Sequence, residues 1–492
     1  MSTKETALPT DHQHTVGPRT FVRGVSLAIL LGAVIRLAYI VWLHRVGNYG
    51  IGDSYIYHRE GLQLARGDGW INPALMELYG IRRELAMHPP AYSLWLALWS
   101  WIGLTSEFAH QLITIPLGLA TIAVVGNIGR RVWSPKVGIA AALVAAVHPS
   151  FWSWEGMLLQ EPMAILATSL LLLAMLRLIG HLDVKSVLLG GVAAGFAPLT
   201  RAELISTLAI CLLVILIAHR SRRALAATVG VGLLAIAIVA PWSIHNARRF
   251  DKFVPLSNGF GVTLAATNCD ELTGAWLGYW SLRCSGAAAE EVTRQWAAEH
   301  PDAEFIPIDV AGTINPLTGD NTGAEYLARG DFQYPEFDES EVDAAMTALT
   351  IDWMKEHPGF LVRSVPARLG RVLGIYRPIQ QVRLDIYIEN RKKLVAVGAW
   401  LGYYALAPFV LVGAWLLKRR SGRDLLLLLA PVCSALFVIA STFGNTRYRA
   451  IAEPTMAVLG TIGVAALWCW LRDTWREQPQ RAPHSPLTED VA

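Results

Sequence analysis

The stretch QEPMAILATSLLLLAMLRLIG, residues 160–180, sets the reading of this chain. Glu161 and Arg177 are its charged residues, and the run between them is dominated by Leu, Ala, Ile and Met. About 20 such residues cross a hydrocarbon core of roughly 30 Å. Pro162 suits a helix start, and a carboxylate in the first turn suits the helix dipole. Runs of the same kind recur at 22–43, 107–129, 136–151, 186–200, 202–218, 225–245, 394–416, 424–442 and 452–471. The first of them is too long for a cleaved leader and lacks a small-x-small site at its end, so it reads as a retained anchor.

Composition agrees. Of 492 residues, 53% are hydrophobic and only 16% charged, where soluble domains carry about 25% charge. The mean hydropathy of +0.38 argues against one water-soluble domain, a disordered chain, a fibre or a small disulfide scaffold. A net charge of +3 gives no reason to expect nucleic acid as a partner, because duplex binders show a clustered basic face. The 18 Trp residues suit membrane interfaces.

Basic clusters orient the spans. Arg19 and Arg23, Arg130, Arg131 and Lys136, Arg220, Arg222 and Arg223, and Lys418 to Arg423 read as cytoplasmic, with Arg472 and Arg476 after the last span in agreement. Ten spans put both termini inside. Residues 91–104, AYSLWLALWSWIGL, would reverse that order if they crossed. At about 14 residues they suit an interfacial helix instead.

The expected fold is therefore an all-α polytopic membrane protein with about ten transmembrane helices, interfacial helices and two large outer-face loops. Residues 1–21 form a cytoplasmic tail and 22–245 a membrane module of seven spans that includes the outer loop 44–106. Residues 246–393 form an outer-face cap with interfacial helices and an otherwise unassigned fold, 394–471 three more spans, and 472–492 a second tail. No internal repeat is evident.

Cys211, Cys433 and Cys469 lie in apolar spans and read as packed small hydrophobes. Cys269 and Cys284 share the second outer loop, 15 positions apart. An oxidising compartment favours a bridge between them, stabilising the loop by roughly 3 kcal/mol.

The phosphate loop GxxxxGK[ST], the nucleophile elbow GxSxG and HExxH are absent. The polar residues of interest stand where spans meet outer loops. Asp53 follows two glycines in YGIGDSY, residues 49–55, and reads either as a helix cap or as a carboxylate at the mouth of the bundle. Glu161 reads as a dipole-matched helix start or as a partner facing Asp53 across the same cleft. His88 precedes Pro89 and Pro90, and His-Pro recurs at His148, His300 and His357. That spacing is too scattered for a metal set, and loop punctuation is the plainer reading of the other three. Arg201 with Glu203, and Arg447 with Arg449, stand in short outer loops where Arg is disfavoured. They fit either an anionic headgroup or snorkelling to lipid phosphate. Arg36, inside the first span, carries the same two readings.

Taken in order, these residues resemble the GT-C superfamily of integral membrane glycosyltransferases. The likeness is to bacterial relatives of protein O-mannosyltransferases and of the lipid A aminoarabinose transferase, glycosyltransferase family 39. It covers roughly residues 22–470. It rests on Asp53 after the first span, Tyr57 to Trp70 with Gly67-Asp68-Gly69-Trp70, His88-Pro89-Pro90, and Glu161-Pro162. It continues through Gly191 to Leu199-Thr200-Arg201, Pro241-Trp242 with Asn246, and Arg447-Tyr448 with Pro454. The stretch from Asn268-Cys269-Asp270 through Gly278-Tyr279-Trp280 to Cys284 looks like a feature of actinobacterial members. The resemblance implies that Asp53 is the catalytic base and that Glu161 matches a second acidic residue. Ser54 stands where the family usually has Glu.

The implied donor is a polyprenyl-phosphate-linked sugar drawn from membrane lipid. The implied acceptor is a hydroxyl of a glycan, lipid or protein, met at the outer face of the bacterial cytoplasmic membrane. The leaving phosphate needs little protonation, so one carboxylate base suffices, with His88, Glu161, Arg201, Arg447 and Arg449 as substrate-binding groups. One base in direct attack implies inversion. No cofactor is demanded, and a divalent metal is left open. The alternative from another class is a transporter or flippase of a lipid-linked glycan, which would favour a central polar site and broken helices at the midplane. A catalytically dead scaffold is a third reading.

Overall fold

The computed structural model describes residues 17–43, 52–301, 306–307, 333–334 and 338–476. Most of both polar tails, residues 49–51 before Asp53, and much of the stretch 302–337 lie outside the described residues.

All ten apolar runs form helices. Seven are long and apolar enough to span: Pro18–Leu43, Glu107–Val132, Glu161–Gly180, Arg222–Ala247, Lys393–Arg420, Gly422–Ser441 and Thr446–Thr474. Pro135–Val147 and Pro149–Met157 are long enough only as a pair bent by 64°, either a broken span or a re-entrant loop. Proline biases its preceding residue out of the helical region, and His148, before Pro149, sits at φ −74° and ψ 124°. Val184–Thr200 and Leu204–His219 are shorter apolar helices. The chain is thus a multi-pass membrane protein. Its described residues are helical or irregular apart from one two-residue antiparallel pair, Ile306–Pro307 with Gln333–Tyr334, and an isolated antiparallel bridge between Ile71 and Glu84.

Local chemistry sets the helix starts. Ser106, Ser134, Asp183 and Ser221 each cap a span by accepting a backbone N–H from the first turn. Lys393–Arg420 then packs along the final helix. A Cβ at Gly413 or Gly463 would collide with the carbonyl of Leu459 or Phe409, the close approach by which small residues join membrane helices. Glu161–Gly180 is buried on nearly every face, as expected of a central helix that is apolar all round. Its N-terminus therefore delivers Glu161 into the interior.

Arg36 takes neither of the two sequence readings. It is fully buried, with Nε 2.7 Å from Glu155 Oε1 and Nη1 donating to the carbonyl of Ala146. A buried Arg needs such a partner, and this one stands 119 positions away.

Ala91–Trp101 is an 11-residue helix, too short to cross. Tyr92 and Leu96 are buried against Tyr57, while Leu94 and Trp101 face outward, the split expected of an interfacial element. The second polar piece contains more helix than its mixed composition announces. Phe260–Thr267, Leu282–Glu299 and Glu339–Glu356 pack around Ala265, Val292 and Met346. Glu339 ties this cap to the bundle by accepting from the Ala86 backbone N–H at 3.1 Å and from Asn258 Nδ2 at 3.0 Å. Cys269 and Cys284 are joined as a disulfide, Cα to Cα 5.9 Å. Cys211 is buried, Cys469 half-buried and Cys433 exposed on its helix.

Candidate active site

Asp53 is the first residue of helix Asp53–Arg66, and the cap position is Gly52. The carboxylate turns to side chains from elsewhere. Its Oδ2 lies 2.8 Å from Arg447 Nη2, and its Oδ1 lies 3.5 Å from His88 Nε2. Ser54 anchors the same turn by donating to the Met157 carbonyl at 2.6 Å, just ahead of Glu161. Burial pushes the Asp53 carboxyl up. Arg447 and His88 more than reverse this and hold it well below the usual carboxylate range.

Arg447 is the hub. Its Nε donates to Glu161 Oε1 at 2.8 Å, and its Nη1 lies 3.6 Å from Glu389 Oε2. One guanidinium thus meets three carboxylates from three separate segments. Glu161 is fully buried and also accepts from Arg201 Nη1 at 3.0 Å. Its Oε2 has no hydrogen-bond partner among the described residues. Arg201 Nε lies 2.5 Å from Glu203 Oε1, and its guanidinium stands 5.1 Å from the Tyr448 ring. Arg447 resides in Thr446–Arg449, whose cap Asn445 accepts from the Arg447 backbone N–H and donates Nδ2 to Glu389 at 2.6 Å. Asn445 therefore fixes both ends of the Arg447–Glu389 pair.

His88 leaves Nδ1 buried without a partner among the described residues, and its ring packs at a tilt against Tyr57, centroids 4.5 Å apart. The Tyr57 hydroxyl is also unpartnered there. Burial, then the negative charges of Asp53 and Glu161, push the Tyr57 phenol well up, so it stays a neutral donor.

Asp53, His88, Glu161, Arg201 and Arg447 are thus brought together. Arg449 is not. It binds Glu453 at 3.1 Å and the Val372 carbonyl at 3.2 Å, and lies 4.0 Å from the Tyr403 ring. Residues two apart on a helical turn do not share a face. Cys269 and Cys284 lie in the loop discussed below.

Glu389 is the residue that sequence reasoning missed. Burial pushes its carboxyl up despite Arg447. Its signal was present: Glu389-Asn390-Arg391 is a polar trio directly before a span, the criterion that picked out Glu161. Among the described residues, no three His, Cys, Asp or Glu side chains group as metal ligands.

Residues 87–245 match the family model of dolichyl-phosphate-mannose-protein mannosyltransferase. That stretch includes His88, Glu161 and Arg201 and leaves Asp53 and Arg447 outside. No curated protein matches the sequence. Among solved structures, the archaeal oligosaccharyltransferase AglB from Archaeoglobus fulgidus, in complex with an inhibitory peptide and a dolichol-phosphate, is similar. Its TM-score is 0.51 at 14% identity, over 94% of this chain and 52% of that one. The oligosaccharyltransferase of the same organism tethered to an acceptor peptide gives a TM-score of 0.53 at 14% identity, over 93% and 51% of the two chains. ArnT from Cupriavidus metallidurans, bound to undecaprenyl phosphate, covers 95% of this chain and 81% of its own at 16% identity. Its TM-score is 0.37. This chain spans about half the length of the archaeal enzymes it matches. The archaeal structures share the fold of this chain, and the family match covers its residues 87–245.

Proposed function

We propose that the chain transfers a sugar from a polyprenyl-phosphate donor to an acceptor hydroxyl, with inversion, at the outer face of the bacterial cytoplasmic membrane. The acceptor is a glycan, a lipid or a protein. The observation that carries this reading is the bridge Asp53–Arg447–Glu161, a candidate base and a candidate phosphate ligand held 2.8 Å apart.

In this reading the donor phosphate competes with Asp53 for Arg447. Once the phosphate displaces Asp53 from Arg447, Asp53 is released as a free carboxylate base. The acceptor hydroxyl gives its proton to Asp53, and its oxygen bonds to the anomeric carbon. The bond from that carbon to the phosphate oxygen breaks, and the electron pair leaves with the polyprenyl phosphate. Arg447 and Arg201 balance the developing charge, where fixed cations in a partly dry site are worth most. Glu161 and Glu389 hold Arg447 in place, and His88 shares Asp53.

The test is to incubate the purified full chain in nanodiscs with a panel of polyprenyl-phosphate sugars and to follow transfer or slow hydrolysis. Turnover of at least one donor is expected. Failure of every donor, with the protein folded, would overturn the enzyme reading in favour of transport.

A further inference from the structure

The disulfide-closed loop between Cys269 and Cys284 is held against the site by more than its covalent bridge. Arg368 and Arg371 of helix Pro358–Val372 are both buried, yet neither has a carboxylate partner among the described residues. The Arg371 guanidinium serves the loop, and that of Arg368 serves the residues leading into it. Arg368 Nη2 donates to the Thr267 carbonyl and to Asn268 Oδ1, each at 2.8 Å. Arg371 donates to the carbonyls of Leu277 at 2.9 Å and Ala275 at 2.6 Å. Gly278, at φ +77°, lies so close to Ala367 and Arg368 that a Cβ would collide with them. Its carbonyl accepts from the Gly444 N–H at 2.9 Å, three residues before Arg447. Desolvating two arginines is costly, and here it fixes the backbone of one irregular loop.

That backbone presents Trp280. Its ring lies 6.3 Å from Phe443, which lies 5.2 Å from Tyr448. The three rings are half-buried and form a row of edge-to-face contacts, at 65° and 87°. Tyr448 ends the row beneath Arg201, which binds Glu161, and it directly follows Arg447. A part-exposed cluster of crossed aromatic rings ending in charged groups suits a ligand with an apolar C–H face and a hydroxylated edge. We infer that Trp280, Phe443 and Tyr448 form a stacking platform for a sugar ring, positioned by Arg368 and Arg371. This rests on the glycosyl-transfer reading of the Asp53 site and adds to it the residues that select the saccharide. The ring belongs to the donor or to a glycan acceptor, and the two sources are separable.

The test is saturation-transfer NMR on the full chain in nanodiscs, with methyl glycosides of mannose, glucose, galactose and arabinose as probes. Ring protons of at least one glycoside should be saturated by the wild type. Trp280→Ala and Phe443→Leu should weaken that binding about tenfold each, the scale of one lost aromatic contact. Trp280→Phe should keep most of it. Asp53→Asn should bind normally, so a failure of the catalytic reading leaves this result intact. Displacement by a polyprenyl-phosphate sugar assigns the platform to the donor, and retention assigns it to the acceptor. The platform is refuted if no glycoside is saturated, or if folded Trp280→Ala binds as the wild type does.

Discussion

Arg447 lies 2.8 Å from the Asp53 carboxylate, so the proposed base is paired before any donor arrives. The same arginine is bound by Glu161 and Glu389. The guanidinium is therefore held in place by two acids while Asp53 shares it with the incoming phosphate. This arrangement couples donor binding to release of the base.

The pairing has a pH signature. Asp53 is held well below its usual range by Arg447 and His88 against the opposing push of burial. A depressed carboxyl stays ionised to lower pH, so the acid limb of kcat/KM in the wild type should fall below the usual carboxylate value of about 4. Arg447→Lys keeps charge but loses the fork, and Arg447→Ala loses both. The acid limb should move to higher pH in Lys and further in Ala. An unmoved limb would exclude Asp53 as the group titrating in the free enzyme.

Removing Arg447 should also cost stability. Breaking a buried ion pair from one side leaves uncompensated charge and costs about 3–5 kcal/mol. Glu161 is fully buried and Glu389 nearly so, so Arg447→Ala should show a large drop in melting temperature. Adding Glu161→Gln should recover part of it, because one stranded charge is then gone. A double variant less stable than the sum of the singles would contradict the pairing.

A second pH effect comes from Glu60 and Glu339. Burial pushes both from about 4.5 up to about 7, against hydrogen bonds from Ser93 to Glu60 and from Ala86 and Asn258 to Glu339. A raised carboxyl pKa means the folded state binds the proton more tightly than the unfolded chain. Stability should therefore fall as pH rises from about 4.5 through 7 and then level off. Melting temperatures from pH 5 to 8 should show this decline. Glu60→Gln and Glu339→Gln should each flatten it, and an undiminished slope in both would assign the effect elsewhere.

How far the sequence led can be seen residue by residue. Most of the ten expected spans were legible because apolar length acts locally, as in the run from Glu161 to Gly180, whereas Val184–Thr200 and Leu204–His219 form shorter apolar helices. Asp53, Glu161, Arg201 and Arg447 were legible as polar residues at the borders of apolar runs. Their pairing was not, because Arg447 and Glu161 are 286 positions apart. Arg449 looked equivalent to Arg447 until the helical turn sent it to Glu453. Arg36 and Glu155 illustrate the same limit inside the bundle. The extent of the cap helices was hidden because Phe260–Thr267 is only eight residues long and Glu339–Glu356 buries only a narrow stripe of Ser340, Met346 and Thr350.

The disulfide gives a chemical check. Mass spectrometry of unreduced protein should find the Cys269 and Cys284 peptides joined. Replacing both with Ser should lower stability by about 3 kcal/mol for a loop of this size. Two free thiols in freshly isolated, unreduced protein would remove the oxidising compartment from the reading.

The sharpest comparison sets three substitutions side by side. Asp53→Asn keeps size and hydrogen-bonding capacity but cannot take the acceptor proton, and loss of a general base costs about 10²–10⁴-fold in rate. Arg447 is also freed from Asp53 in this variant, so donor affinity should hold or improve. Arg447→Ala removes a cation that meets the phosphate in both the ground and transition states, so KM for the donor should rise as kcat falls. Glu161→Gln leaves Arg447 present but less firmly oriented, because a neutral amide replaces the carboxylate at 2.8 Å. Its loss should be smaller than either of the others and should fall mainly on kcat. Donor binding is read separately by titrating donor lipid into nanodiscs, with melting temperatures checked for each variant. Near-normal turnover in a well-folded Asp53→Asn protein would end its assignment as base, leaving Asp53 as a structural partner of Arg447 and the bundle as a candidate carrier of a lipid-linked glycan.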